Sequence, residues 1–281
     1  MEFTLEEIMD IEICPWCSSD SYTYLYTSNC EVVRCNECGL VYAKQVLNEK
    51  GRKRYWSNYC NTIHLADLES NNKRNRMYEL EYRFLTNFFS GGRKEILDIG
   101  CSKGEFLDVF AQHGWNCFGV EYDEIAAEVA KEKYTIWSGD LADLEIKKKF
   151  NVITVRGTMQ YFLQPRIYFD KIIDLLSDNG LLYISASPNA DSLCFNLYRE
   201  YFSLRVCLTD YYAYSEKMLT EYFSKKNIKL LCDYDFYEQT PYCDLENDIL
   251  NVASALNGTV SGKSPAFYHN LLTLVYKNNK K

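Results

Sequence analysis

The sequence predicts an α/β protein, a Rossmann-like sheet with helices on both faces, preceded by a small metal-bound module. Three observations carry this. The stretch "ILDIGCSKGEFL" (96–107) puts a glycine-punctuated loop between an apolar run and an amphipathic helix. Strand-like and helix-like segments then alternate as far as residue 187. Two C-x-x-C pairs, "CPWC" at 14–17 and "CNEC" at 35–38, lie near the start.

Composition sets the bounds. A chain of 281 residues can hold one domain of about 200 residues and a small module. No apolar run reaches the length of a membrane span. The opening "MEFTLEEIMDIE" is acidic and unlike a signal peptide, so a cytoplasmic location is expected. A net charge of −8 excludes a general nucleic-acid-binding surface. The 12 cysteines are spread along the chain, and four have ligand spacing, which favours a metal over a disulfide framework.

The first domain is expected over residues 1–47. Cys14 and Cys17 form one knuckle, Cys35 and Cys38 another, and the segments between alternate like a hairpin. Four soft thiolates in tetrahedral array suit a structural Zn²⁺ and leave no open position. A module this small cannot bury enough core unaided, so the metal supplies its stability. Residues 1–45 hold eight acidic residues (Glu2, Glu6, Glu7, Asp10, Glu12, Asp20, Glu31, Glu37) against Arg34 and Lys44. A phosphate backbone would be repelled, and docking or substrate capping is the expected role of this zinc ribbon.

Residues 48–90 read as a helical linker and cofactor cover. "KGRKR" (50–54) and "NNKRNR" (71–76) are basic, as solvated helix faces or as a hold for a phosphate. The main domain then runs over 91–281. "KEILDI" is its first strand, and the loop after it reads D-x-G-x-x-x-G through Asp98, Gly100, Cys101 and Gly104. It lacks the G-K-[ST] ending of a phosphate loop and the second glycine of G-x-G-x-x-G. The glycines admit a ligand close to the backbone, and Asp98 suits an ammonium or sulfonium better than a pyrophosphate. That favours S-adenosylmethionine over NAD. "WNCFGVE" is a second strand ending at Glu121, beside Tyr122, 21 residues after Gly100 and at the spacing of a ribose-binding acid. A helix follows, then a third strand ending in Gly139-Asp140-Leu141, where an aspartate can accept from an adenine amino group. "FNVITVRG" and "GLLYISAS" are the fourth and fifth strands.

The order and spacing of "LDIGCSKGEFL", "GVEYD", "SGDL", "FNVITVRGTMQYFLQP" and "LLSDNGLLYISASPN" resemble the class I S-adenosylmethionine-dependent methyltransferases over residues 75–281. With the zinc ribbon in front, the chain is similar to bacterial methyltransferases of sugar, polysaccharide and natural-product pathways. The resemblance implies a seven-stranded sheet whose last two strands, "IKLLCDYDFYE" and "NLLTLVYK", form an antiparallel edge pair. It places Asp98, Gly100 and Gly104 at the methionine end, Glu121 at the ribose and Asp140 and Leu141 at the adenine. Arg156 and Gly157 close the pocket, and Tyr59, in "YWSNYC", covers the cofactor. Aromatic insertions near 188–214 and 240–269 are expected to form lids, with packing or homodimer contact as their alternative use.

The expected activity is methyl transfer to a sugar, glycan precursor or other small metabolite, at oxygen. Relatives often carry Glu-His after the fourth strand, whereas this chain has Gln160 and Tyr161, so no imidazole base stands there. Tyr161 and His64 are the candidate catalytic residues. The competing readings are a zinc-ribbon RNA methyltransferase, against which the charge argues, and a non-catalytic adaptor, against which the cofactor residues argue.

Overall fold

The computed structural model describes residues 2–59, 68–260, 262, 264–265 and 270–279. At the N-terminus β1 (Ile8–Asp10) precedes the meander β2 (Tyr22–Thr27), β3 (Glu31–Cys35) and β4 (Val41–Ala43), and β5 (Gln45–Leu47) returns antiparallel to β1. The two cysteine knuckles are built alike. The N–H of Ser18 donates to the Cys14 carbonyl at 2.9 Å and that of Gly39 to the Cys35 carbonyl at 3.0 Å, both residues having left-handed φ, 63° and 78°. Glycine takes that conformation freely, whereas for an L side chain such as Ser18 it costs about 1–2 kcal/mol.

Helix α1 (Glu49–Asn58) starts where the Asn48 side chain accepts from the Gly51 N–H at 3.1 Å. It lies hard against the N-terminal segment: a Cβ on Gly51 would sit 2.4 Å from the Glu7 carbonyl oxygen. After α2 (Leu68–Thr86) come β6 (Glu95–Ile99), α3 (Glu105–Gln112), β7 (Asn116–Glu121), α4 (Glu124–Lys131), β8 (Thr135–Ser138) and β9 (Phe150–Arg156). Then follow α5 (Pro165–Leu175), β10 (Leu176–Pro188), α6 (Leu193–Tyr198), β11 (Tyr212–Ala213), α7 (Glu216–Ser224), β12 (Ile228–Asp233), α8 (Leu245–Leu256) and β13 (Leu271–Asn278).

Seven of these strands form one sheet in the order β12-β13-β10-β9-β6-β7-β8. The five from β10 to β8 are parallel, and β13 runs antiparallel to both β10 and β12. This is the Rossmann-like methyltransferase sheet that the sequence predicts, with its antiparallel edge pair. Its central strand β6 is buried along its whole length (Ile96, Leu97, Ile99), as helices on both faces require. The strand order reverses between β6 and β9, so a crevice opens beyond their carboxyl ends.

Two features were not legible in the sequence. The last strand before α8 stops at Asp233, five residues short of the apolar run, and α8 occupies part of the 240–269 insertion. Within 188–214, β11 leaves the main sheet and pairs antiparallel with β4, as fourth strand of the N-terminal sheet. The N-terminal module also packs on the core through Trp16, edge-on to Phe169, Tyr214 and Tyr222 at 5.9, 6.2 and 5.0 Å. Among the described residues no helix is long and apolar enough to cross a membrane.

Candidate active site

A cleft of about 260 Å³ occupies the crevice. Its floor is made by the turns that leave the parallel strands: Gly100 and Ser102 after β6, Glu121 to Asp123 after β7, Gly139 to Leu141 after β8, and Arg156 to Thr158 after β9. Arg52 and Trp56 of α1 and Tyr59 at its C-cap cover it, with Tyr78 of α2. Gly100 has φ of 78°, and a Cβ there would stand 2.3 Å from Thr158 Oγ1, so only glycine fits this closely packed turn.

Glu121 ties two turns together. Its Oε2 accepts from the Ser102 N–H at 2.7 Å and its Oε1 from the Asp123 N–H at 2.8 Å, while burial pushes its carboxyl above the ordinary range. Asp123 uses Oδ1 to cap α4, accepting from the N–H groups of Ile125 and Ala126. Its Oδ2 is buried at the cleft with no hydrogen-bond partner among the described residues. Beneath the floor, Asp98 is buried and accepts from the Thr154 hydroxyl at 2.6 Å, and burial pushes its carboxyl up to about 7.

The structure thus brings Tyr59, Gly100, Glu121, Tyr122, Asp140, Leu141, Arg156, Gly157 and Tyr161 onto one cleft. Asp98, Cys101 and Gly104 stand behind it. Cys101 is turned against β7, where a Cβ on Gly119 would meet its Sγ at 2.5 Å, and Gly104 is the N-cap of α3 with the Tyr134 ring against it. Asp140 is already engaged: Oδ1 accepts from the Ala142 N–H and Oδ2 pairs with Arg52 at 3.0 Å. Tyr161 lines the cleft, but its hydroxyl donates to Asp210 Oδ1 at 3.0 Å. Burial, and then the Asp210 charge, push its phenol well above 10. Tyr161, a candidate catalytic residue, is thus a hydrogen-bond donor to Asp210 at neutral pH. His64 lies outside the described residues.

Two site residues on α1 were missed. Arg52 and Trp56 share one helical face with Tyr59 at the C-cap, at i, i+4 and i+7, and this spacing could have exposed them. Arg52 lies over the Tyr122 ring at 5.0 Å, and its Nε is buried with no partner among the described residues. In α2, Tyr78 lies beneath the Arg156 guanidinium and Glu81 pairs with its Nε at 2.5 Å, a buried ion pair that fixes one edge of the cleft.

The residues fit an S-adenosyl group. The orphaned Asp123 Oδ2 suits a ribose hydroxyl, and carboxylates rather than phosphate ligands surround the floor. At the other end of the chain's N-terminal module, the sulfurs of Cys14, Cys17, Cys35 and Cys38 all lie within 4.8 Å of one another, Cys14 to Cys38 and Cys17 to Cys35 at 3.5 Å. A tetrahedral Zn²⁺ with bonds of about 2.3 Å needs sulfurs at this spacing.

Comparison with known proteins agrees with this geometry. Part of the chain is 28% identical over 109 residues to a mitochondrial ubiquinone biosynthesis O-methyltransferase of Schizosaccharomyces pombe, covering 35% of this chain and 39% of that protein. The chain thus spans about two fifths of the curated relatives it matches. Its fold is similar to an S-adenosylmethionine-dependent methyltransferase from Clostridium acetobutylicum (TM-score 0.51, 13% identity, 82% of this chain and 99% of that one). It is similar also to the magnesium protoporphyrin IX methyltransferase of Synechocystis with bound S-adenosylhomocysteine (TM-score 0.53, 14% identity, 82% and 95%). Residues 71–233, more than half of the chain, match the family described as "Methyltransferase domain", and the chain belongs to that family.

Proposed function

We propose that this protein is an S-adenosylmethionine-dependent methyltransferase acting on oxygen of a small molecule, a sugar or glycan precursor in the first instance, with a structural Zn²⁺ on its four clustered cysteines. The observation that carries the reading is the convergence of Gly100, Glu121, Asp123 and Asp140 on one crevice at the switch point of the sheet. When bound, S-adenosylmethionine supplies a methyl group on a positively charged sulfur. The chain's residues hold and align it: Gly100 gives backbone access, Glu121 fixes the turn, and Asp123 takes the ribose. Trp56 and Tyr59 exclude water, since a dry and aligned site supplies most of the acceleration of such a displacement.

Asp98 makes binding pH-dependent under this reading. The ligand's ammonium favours the ionised carboxylate, yet burial keeps Asp98 protonated below about 7. Binding must then release a proton, so affinity for S-adenosylhomocysteine is expected to rise with pH, up to about tenfold per unit below pH 7 and flat above it. Titrations at pH 6 and 8 check this, and Asp98→Asn is expected to remove the slope.

The acceptor class is tested with methyl-labelled S-adenosylmethionine and an extract of the source cells, fractionated into small molecules, glycans, protein and RNA. Label among small molecules or glycans is expected. Label in RNA would contradict the reading, and the acidic N-terminal module argues against it, since it repels phosphate.

A further inference from the structure

We propose that the acceptor group is a hydroxyl and that its proton leaves the cleft through Tyr161 to Asp210, the two side chains acting as a relay. This rests on the methyltransferase reading above and adds to it the kind of oxygen acceptor, a hydroxyl, and a proton path.

The two residues come from segments that the sequence keeps far apart. Tyr161 ends the short helical turn Met159–Tyr161 after β9 and lines the cleft. Asp210 lies just before β11, in the insertion that joins the N-terminal sheet. The Tyr161 hydroxyl donates to Asp210 Oδ1 at 3.0 Å, and the other oxygen, Oδ2, accepts from the Thr209 hydroxyl at 3.0 Å. Among the described residues nothing donates to the Tyr161 oxygen, and Tyr161 itself lines the cleft. A hydroxyl in the cleft can donate to Tyr161 while Tyr161 donates to Asp210.

Backbone and ring contacts hold the pair. The Tyr211 N–H donates to the Gln160 carbonyl at 3.1 Å, and the Tyr214 and Tyr212 hydroxyls donate to the carbonyls of Met159 and Leu163, each at 3.0 Å. From the other side, the Ala43 N–H of the N-terminal sheet donates to the Tyr211 carbonyl at 3.0 Å, and the Leu208 N–H donates to Asn29 Oδ1 at 2.9 Å. Trp56 meets the Tyr161 ring edge-on at 4.8 Å. The segment carrying Asp210 is therefore clamped between the four-cysteine module and the turn carrying Tyr161.

The remaining carboxylates at the cleft are committed elsewhere, save Asp123 Oδ2, which the reading above gives to the ribose. Both oxygens of Glu121 hold backbone N–H groups, Asp140 pairs with Arg52, and Asp123 caps α4. No described histidine lines the cleft; His113 stacks on Tyr82 at 4.3 Å, away from it. Burial raises Asp210 above the ordinary carboxyl range, against the hydrogen bonds from Tyr161, Thr209 and Cys207 and the charge of Arg205, which makes it a better proton acceptor. Tyr161, facing Tyr55, Tyr59 and Asp210, keeps its proton until Asp210 can take it.

The step balances. A lone pair of the acceptor oxygen forms the new O–CH₃ bond, and the pair of the S–CH₃ bond stays on sulfur, which becomes neutral. The acceptor's proton passes to Tyr161 Oη as the tyrosine's own proton passes to Asp210 Oδ1. The positive charge of the sulfonium and the negative charge of Asp210 disappear together. Transfer to a carboxylate would have no proton to relay, whereas an alcohol or phenol has one and can donate it to Tyr161.

The test uses the metal-loaded full chain with labelled S-adenosylmethionine and the small-molecule extract as acceptor source, dilution of the extract serving as its concentration axis. Asp210→Asn and Tyr161→Phe are each expected to lower maximal turnover by about 100-fold or more, with half-saturating dilution unchanged. The double variant should be no more than about threefold slower than the slower single, and Asp210→Glu should recover part of the rate. S-adenosylhomocysteine binding by calorimetry should match wild type in all variants, which separates a lost relay from a damaged fold. Tyr161→Phe provides the comparison should Asp210→Asn be unstable. Turnover of either single variant within threefold of wild type, or label found on nitrogen or carbon, overturns the relay while leaving the methyltransferase reading intact. No transfer by the wild type overturns both.

Discussion

Glu121→Gln is expected to weaken S-adenosylhomocysteine binding by about 100-fold, roughly 2.7 kcal/mol. Glu121 accepts two short backbone hydrogen bonds, from Ser102 at 2.7 Å and Asp123 at 2.8 Å, in a buried site. Bonds to a charged acceptor contribute about 1.5–3 kcal/mol each, and a glutamine must turn its NH₂ against one of the two N–H groups. Ser102 sits at φ of 50°, a conformation that needs such a tether. The substitution therefore loosens the Gly100–Gly104 turn and the Asp123 turn together. Calorimetry on the variant checks this, and a loss under fivefold would mean that the turn is held by other contacts. Glu121→Ala should weaken binding at least as much, since it leaves both N–H groups without their partner.

Removing the metal is expected to lower Tm by about 10 °C or more. A structural Zn²⁺ contributes on the order of 10–16 kcal/mol to the folding of a small Cys₄ module, and a chain of this size loses roughly 2–4 °C for each kcal/mol. The consequence extends beyond the module. Trp16 is wedged among Phe169, Tyr214 and Tyr222, and β4 carries β11 and with it the segment of Asp210. Chelation should thus shift Trp16 fluorescence to the red and loosen the cleft wall, and Cys35→Ser should reproduce both changes. Metal analysis should give one zinc per chain. A purified protein without zinc, and with Tm insensitive to chelator, would show that the four thiols pack without an ion.

What the sequence made legible is what local pattern encodes. Each parallel strand is a short apolar run bounded by glycine or an acid, and the two knuckles announce themselves by C-x-x-C. The turn acids Asp98, Glu121 and Asp140 could be named because a strand end fixes where its next residue points. Partnership across the fold was not legible. Asp140 looks free in "SGDL", yet Arg52, 88 residues earlier, fills its Oδ2. Tyr161 reads as a possible base until Asp210, 49 residues later, accepts its proton. β11 has two residues, Tyr212 and Ala213, too few for a period, and its pairing with β4 is decided by tertiary contact alone. Tyr59 could be named, but Arg52 and Trp56 on the same helical face could not, because the basic run around them reads as solvated. Lys50 and Arg54 do turn outward to Glu6 and Glu7, while Arg52 turns in.

The central claim, that the crevice beyond β6, β7 and β9 is an S-adenosyl site, is tested most directly by titrating the metal-loaded protein with S-adenosylhomocysteine in a calorimeter. One molecule per chain, bound at pH 8 and lost in Glu121→Gln, is the result predicted. No heat and no rise in Tm at millimolar ligand, from a protein with its zinc in place, would contradict it.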